Sequence, residues 1–298
     1  MIVTRFAPSP TGLLHLGHAF AAITAHDAAR AGSTAAGRFL LRIEDIDTAR
    51  CREEFVAAIF EDLRWIGLTW EEPVLRQSSR GEAYRFALGT LEANGLLYPC
   101  FCTRKEIAEE IARAAEAPHY DSRRAAAGGP DGPIYPGTCR GLTKAQCDAR
   151  IARGDPFVLR LDAAKAAALA GPLTFTELGA GPNGETGTIA VEPLLFGDVV
   201  LARKDIPAAY HVAVVVDDAF QGVTRVTRGN DLFAATHVQR LLQVLFDLPE
   251  PRYAHHRLIL DESGKKFSKR DRAVTLRALR EEGVTPAAIR ARLGLTSR

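Results

Sequence analysis

The sequence lacks an excess of charge of either sign: 38 lysine and arginine residues face 36 aspartate and glutamate residues over 298 positions, a net charge of +2. That balance excludes a general affinity for polyanions, so any contact with nucleic acid has to come from a local basic surface. No uninterrupted run of about 18 apolar residues exists, which argues against a membrane span. No opening stretch reads as a secretory signal, because Met1-Ile2-Val3-Thr4 meets Arg5 at once. Cysteine is scarce, and five is an odd count that does not suit a disulfide scaffold. The close pair Cys100 and Cys102 reads instead as metal chemistry in a reducing compartment, so a cytoplasmic setting is expected. Internal repeats are absent as well. What is present is 47% hydrophobic content, enough at this length for one large core, or one core and a smaller subdomain.

The pattern along the chain alternates strand and helix. Ile2 to Ala7 is short and β-compatible, and a Pro/Gly-rich turn leads into a helical stretch from Gly17 to Ala31. Arg38 to Ile43 reads as a strand that ends in Glu44-Asp45-Ile46-Asp47. Glu53 to Trp65 and Arg80 to Asn94 read as helices closed by Gly67 and Gly95. This rhythm predicts an α/β fold with a doubly wound, Rossmann-like parallel sheet. It breaks after Tyr98. Residues 103–155 are rich in Ala, Gly, Pro and charge, and Phe157 to Leu161, Thr188 to Val191 and Asp198 to Ala202 look like strands of a separate, mostly β region. The alternation resumes with a helix at Ala208 to Val216, a strand at Gly222 to Arg228 and a helix at Asp231 to Phe246. The expected division is a catalytic domain over 1–98 and 197–250, an inserted subdomain over 99–196, and a loop with a short helical region over 251–298. A single short helix, Thr285 to Leu293, closes the chain, so no further sizeable domain is expected beyond the basic loop.

Two basic and imidazole-bearing clusters stand far apart. His15 and His18 fall where the first strand turns into its helix, where unpaired backbone N–H groups and the helix dipole favour a phosphate. An imidazole there can donate to a phosphoryl oxygen as charge develops, and Gly17 allows close approach of an adenine ring. Taken alone, a His-x-x-His pattern is more often a capped, solvated helix start. The second cluster is Lys265-Lys266-Phe267-Ser268-Lys269-Arg270. As a loop it could be merely solvated; as a clamp, Lys266 and Lys269 would neutralise a leaving pyrophosphate and Ser268 would donate a hydrogen bond. Cys100, Cys102 and Cys139 offer three thiolates, which with one oxygen or nitrogen donor could surround zinc tetrahedrally.

Together the two clusters resemble the HIGH and KMSKS signatures of class I aminoacyl-tRNA synthetases. The runs Arg5 to Gly12, Arg42 to Asp47 and Phe220 to Asp231 resemble the glutamyl branch, and the match extends over nearly the whole chain in the same order. One departure is His18, which stands where the first signature usually ends in Gly or Ser. The resemblance implies ATP and magnesium, with His15, His18, Lys266 and Lys269 as catalytic groups, and with His15, Gly17, His18, Lys266, Ser268 and Lys269 around ATP. It implies an L-glutamate site made by Arg5, Phe6, Ala7, Pro8, Ser9, Glu44, Tyr210 and Arg228. Glu44 would receive the α-ammonium, and the arginines offer planar two-pronged donors for carboxylates.

The cysteine spacing with Tyr135 resembles the Cys/Cys/Tyr/Cys site of the glutamyl-queuosine tRNA(Asp) synthetases, which implies a structural zinc on Cys100, Cys102, Tyr135 and Cys139. His119 and Tyr120 compete with Tyr135 for the fourth place. This branch implies transfer of glutamate to queuosine at the first anticodon position of tRNA(Asp), by a chain for which nothing demands more than a monomer. The alternatives are a glutamyl-tRNA synthetase catalytic fragment charging the 3′ end of tRNA(Glu), and a synthetase-like binding protein without catalysis.

Overall fold

The computed structural model describes residues 1–31, 37–115, 128–203, 207–260 and 274–295. Val3–Phe6 (β1) is buried at every position, as expected of a central strand covered on both faces. The chain turns through Pro8 and Pro10 into Leu16–Arg30 (α1), then Arg38–Ile43 (β2), Glu53–Trp65 (α2) and Glu71–Arg76 (β3). These three strands form a parallel sheet in the order β1-β2-β3. Gly81–Ala93 (α3) follows, closed where Gly95 adopts φ 64°, a conformation that costs glycine little.

The middle of the chain contributes Leu97–Cys100 (β4), Arg104–Ala115 (α4), Lys144–Ala152 (α5), Val158–Leu161 (β5), Ala163–Ala170 (α6), Thr174–Glu177 (β6), Gly187–Ala190 (β7) and Val200–Arg203 (β8). Tyr210–Phe220 (α7), Arg225–Gly229 (β9), Ala235–Leu245 (α8) and Arg252–His256 (β10) return to the alternating rhythm, and Leu276–Glu281 (α9) and Pro286–Arg292 (α10) complete the described chain. None of the described helices is long and apolar enough to cross a membrane.

Strand β9 lies parallel to β10, and the residue before it bonds to β1: Thr224 N–H donates to the Val3 carbonyl at 3.0 Å, and Val3 N–H to Thr224 Oγ1 at 2.9 Å. Strand β1 therefore has β2 on one side and the β9 edge on the other. This is the switch point of a doubly wound sheet, and ligands collect outside the carboxyl ends of the strands there. Arg5 and Arg228 are the penultimate residues of β1 and β9, so both stand at that crevice.

The strand pairing corrects one expectation. The strands around 157–161, 188–191 and 198–202 do not make one separate β region. Strand β5 pairs antiparallel with β4 and β8, whereas β7 pairs with β6, and β6 joins β10 at Glu177 and Tyr253. The reason is packing. Phe175 of β6 is 1% exposed, with its ring 5.5 Å from Tyr253 and 5.7 Å from Phe233, so the apolar face of this hairpin belongs to the core of the parallel sheet. A second cluster fixes the helices α1, α2, α9 and α10 through Ile23, Leu41, Ile59, Leu63, Leu276 and Ile289. Each such side chain contributes roughly 1.5–3 kcal/mol on burial.

Candidate active site

Arg5 reaches the crevice from β1 already engaged. Its Nε donates to Asp218 Oδ1 at 2.9 Å and its Nη2 to Asp218 Oδ2 at 3.2 Å, a two-pronged bond to a carboxylate on α7. Nη1 lies 3.4 Å from the Thr227 carbonyl. Asp218 also accepts from Arg42 Nη1 at 2.7 Å, and Arg42, with no exposed side-chain surface, reaches on to Glu44 Oε1 at 3.4 Å. Burial pushes the Asp218 carboxyl up, but Arg5 and Arg42 outweigh it and hold it below the ordinary aspartate value. The same burial pushes Glu44 above the ordinary glutamate value, with Arg42 and Arg5 pulling partly back. A cation arriving beside Glu44 would favour its ionised form. Pro8 acts through its backbone: its carbonyl accepts from Glu44 N–H at 3.1 Å, tying the end of β2 to the turn after β1.

Arg228 is 6% exposed and is held on three sides: Nε to His255 Nε2 at 3.0 Å, Nη1 to Gln239 Oε1 at 2.7 Å and Nη2 to Thr236 Oγ1 at 2.7 Å. Tyr210 opens α7 and is 36% exposed. The structure brings Arg5, Phe6, Ala7, Ser9, Glu44, Tyr210 and Arg228 to the wall of one cleft of about 410 Å3. Asp218, Arg42, Gln239, Thr236 and His255, which set the two guanidinium planes, were not legible as site residues. The available signals were two adjacent acids, Asp217 and Asp218, inside an otherwise apolar helix, and the adjacent pair His255-His256 before the basic loop.

His15 is the N-cap of α1, with its Nδ1 accepting from Gly17 N–H at 3.1 Å. His18 Nδ1 accepts from His15 N–H at 3.2 Å, and the two rings lie 3.8 Å apart. His18 therefore folds back on its own helix start as the second half of a capping box. Since both Nδ1 atoms accept, each neutral ring carries its proton on Nε2. A Cβ at Gly17 would stand 3.0 Å from His15 Cε1, so glycine here also makes room for the His15 ring. Lys266, Ser268 and Lys269 lie outside the described residues. The chain beyond that segment returns to the histidines: Thr275 bridges His15 antiparallel, and Leu276 N–H donates to the Leu14 carbonyl at 2.8 Å.

Cys100, Cys102 and Cys139 bring three sulfurs within 4.8 Å of one another, with Cys102 and Cys139 at 3.4 Å. A zinc tetrahedron with bonds of about 2.3 Å has sulfur–sulfur edges of roughly 3.8 Å, between those values. The Tyr135 hydroxyl is 3.6 Å from Cys102 Sγ and accepts from Cys139 N–H at 2.9 Å. Burial pushes the Cys100 thiol up, but hydrogen bonds from Tyr135 and Arg160 outweigh it and hold it below its ordinary value, suiting a thiolate ligand. Burial pushes the Tyr135 phenol well up, so without a metal it stays protonated. The cluster could hold a metal ion on three cysteines, with a phenol at its side. His119 and Tyr120 lie outside the described residues.

The chain belongs to the class I tRNA synthetases for glutamate and glutamine, whose catalytic-domain model matches residues 1–297. Within that class it is 50% identical over 300 residues to the glutamyl-Q tRNA(Asp) synthetase of Rhodobacter capsulatus, covering 99% of this chain and all of that one. It is 42% identical to the glutamyl-Q tRNA(Asp) synthetase of Symbiobacterium thermophilum, over 97% of this chain and 84% of that protein. Among solved structures, a glutamate-tRNA synthetase from Elizabethkingia anophelis superposes with a TM-score of 0.68 at 28% identity; the match covers 91% of this chain and 53% of that one.

Proposed function

We propose that this protein activates L-glutamate with ATP and transfers the glutamyl group to queuosine at the first anticodon position of tRNA(Asp). The observation that carries the amino-acid choice is a match of charge count. L-Glutamate bears one ammonium and two carboxylates; the cleft wall offers one carboxylate, Glu44, and two guanidinium groups, Arg5 and Arg228, while the Asp218 charge that Arg5 holds is offset by Arg42. An arginine fork suits a carboxylate better than any other side chain does. The choice of acceptor is supported by the likeness to glutamyl-Q tRNA(Asp) synthetases, at 50% and 42% identity over 99% and 97% of this chain.

In the first step an oxygen of the glutamate α-carboxylate attacks the α-phosphorus of ATP, and the bond to the bridging oxygen breaks as pyrophosphate leaves. His15 donates from Nε2 to the phosphoryl oxygens, the role its capping bond prepares it for by fixing the tautomer. Lys266 and Lys269 neutralise the leaving group, with Ser268 as a further donor, and His18 holds His15 through its Nδ1. Magnesium, if bound, would supply positive charge against the phosphate oxygens. In the second step a hydroxyl oxygen of queuosine attacks the glutamyl carbonyl, AMP departs with the bonding electrons, and the hydroxyl proton passes to solvent. Zinc on Cys100, Cys102 and Cys139, with Tyr135 as the fourth neighbour, would hold the cysteine knob together.

The test is glutamylation with the purified chain and three substrates: tRNA(Asp) with queuosine, tRNA(Asp) without it, and tRNA(Glu). Label on the first alone is expected. Label on the 3′ end of tRNA(Glu) would replace this reading with that of a tRNA-charging synthetase, and no glutamate-dependent turnover at all would leave only a binding protein.

A further inference from the structure

The side chains that hold Arg228 form a relay that ends in a strand outside the nucleotide-binding half of the sheet. Arg228 Nε–H donates to His255 Nε2, and a guanidinium nitrogen cannot accept, so Nε2 carries no proton. The other ring nitrogen, Nδ1, lies 2.6 Å from Glu177 Oε2, so the proton of the neutral ring sits there and is donated to the carboxylate. Glu177 is anchored in turn, because Oε1 accepts from the backbone N–H of His255 at 2.8 Å and of Gly179 at 2.7 Å. Neither the His255 nor the Glu177 side chain has exposed surface. The turn after β6 presses on β10 closely enough that a Cβ at Gly179 would stand 2.1 Å from the His255 carbonyl oxygen.

We propose that Glu177 and His255 are positioning residues for substrate selection: the carboxylate fixes the imidazole tautomer, and the tautomer fixes the guanidinium of Arg228. The proposal rests on the assignment of Arg228 to a carboxylate of glutamate. A guanidinium has five N–H groups, and His255, Gln239 and Thr236 take one each from Nε, Nη1 and Nη2. One N–H on each terminal nitrogen is then left, the pair that a carboxylate accepts in parallel. A proton on His255 Nε2 would face Arg228 Nε–H, and the two donors would force the guanidinium plane to turn. The β6–β7 hairpin thus does more than extend the sheet: through Glu177 it completes the amino-acid site.

Glu177→Gln tests the relay sharply. Two backbone N–H groups point at one side-chain atom, so the amide oxygen of the new residue must take that place. Its NH2 then meets His255 Nδ1 and drives the ring proton to Nε2. Nitrogen NMR of histidine-labelled full-length protein is expected to show the Nδ1-protonated tautomer at His255 in the parent and the Nε2-protonated tautomer in E177Q. Calorimetric titration with L-glutamate is expected to show affinity lower by about tenfold or more, while binding of ATP is unchanged. In a His255→Gln background, where an amide oxygen can accept from Arg228 whatever stands at 177, E177Q should cost no further affinity. Should E177Q not fold, H255Q against His255→Phe carries the same test, since only the glutamine keeps an acceptor. Failure of the parent to bind glutamate would overturn the assignment of the cleft and the relay with it. Glutamate binding by the parent that E177Q leaves intact, or that E177Q weakens equally in the H255Q background, would overturn the relay alone.

Discussion

On the proposed reading, Glu44 is the acid on which the pH behaviour of the cleft would turn. Burial raises its carboxyl above the ordinary value of 4.5, and Arg42 and Arg5 only partly reverse this. An α-ammonium is attracted to the ionised form alone, so the site must lose glutamate as protons fill Glu44. The sign follows: with a raised pKa, the loss begins at a higher pH than for an exposed carboxylate. We expect kcat/KM for glutamate in pyrophosphate exchange to fall on the acid side with a midpoint above 4.5, and Glu44→Gln to be weak and free of that limb. An acid limb of equal size in E44Q would assign it to another group. Arg5, Glu44 and Arg228 were legible in the sequence because each sits in a run of recognisable neighbours at a strand end. Asp218 was not, because its partner Arg5 lies 213 residues away and nothing local in the run Val214 to Asp218 announces the pairing. Residue roles that come from a strand end can be read locally, whereas those that come from the fold closing on itself cannot.

Among the elements, α2 and α9 are joined by a buried acid that makes their contact sensitive to pH. The Asp62 side chain has no exposed surface and one ion pair at 3.3 Å, to Arg280 of α9. Burial pushes its pKa from 3.8 to about 6, with Arg280 and Arg277 opposing. The folded state therefore binds this proton more tightly than the unfolded chain, and stability is lost as pH rises from about 4 to about 6. Two pKa units correspond to at most about 3 kcal/mol. Asp62→Asn keeps an acceptor for Arg280 and removes the titration, so its urea-unfolding free energy should change less with pH over that interval; parallel profiles would place the slope elsewhere. The elements that the sequence concealed share a cause. Strand β3 begins Glu71-Glu72-Pro73 and is exposed there, as a charged sheet edge should be, and β10 reads Arg-Tyr-Ala-His-His. Neither shows the apolar run that marked β1 and β2, because their side chains serve an edge and a site rather than a core. The strand at Thr188 to Val191 was assigned to a separate β region because local pattern shows that a strand exists and not which neighbour it pairs with.

Over the whole molecule, the cysteine knob and the catalytic sheet rest on different cores. The catalytic side is packed by three apolar clusters, while the knob has its own, in which Cys100, Phe101, Tyr135, Cys139 and Cys147 are the buried members. A cluster of that size is small, and a metal held by its three cysteines would add to its stability. The knob is tied to β8 through Asp198, which takes the Tyr98 hydroxyl at 2.5 Å, Arg140 Nε at 2.9 Å and Ala163 N–H at 3.0 Å. On the proposed reading, glutamate activation would depend instead on Arg5, Glu44 and Arg228, which stand on or just beyond β1, β2 and β9. Cys139→Ser should therefore separate the two halves of the reaction. Metal analysis should find about one zinc per chain in the parent and little in the variant, whose unfolding should gain an early, knob-sized transition. Glutamate-dependent pyrophosphate exchange should stay within about threefold of the parent, because local disorder in one core is not transmitted through a packed neighbour at full strength. Transfer to tRNA(Asp) should fall further, by about tenfold or more, if the knob meets the RNA. A fall of both activities by the same factor would mean that the knob supports the cleft itself, through Arg203 and the start of α7 that follows it.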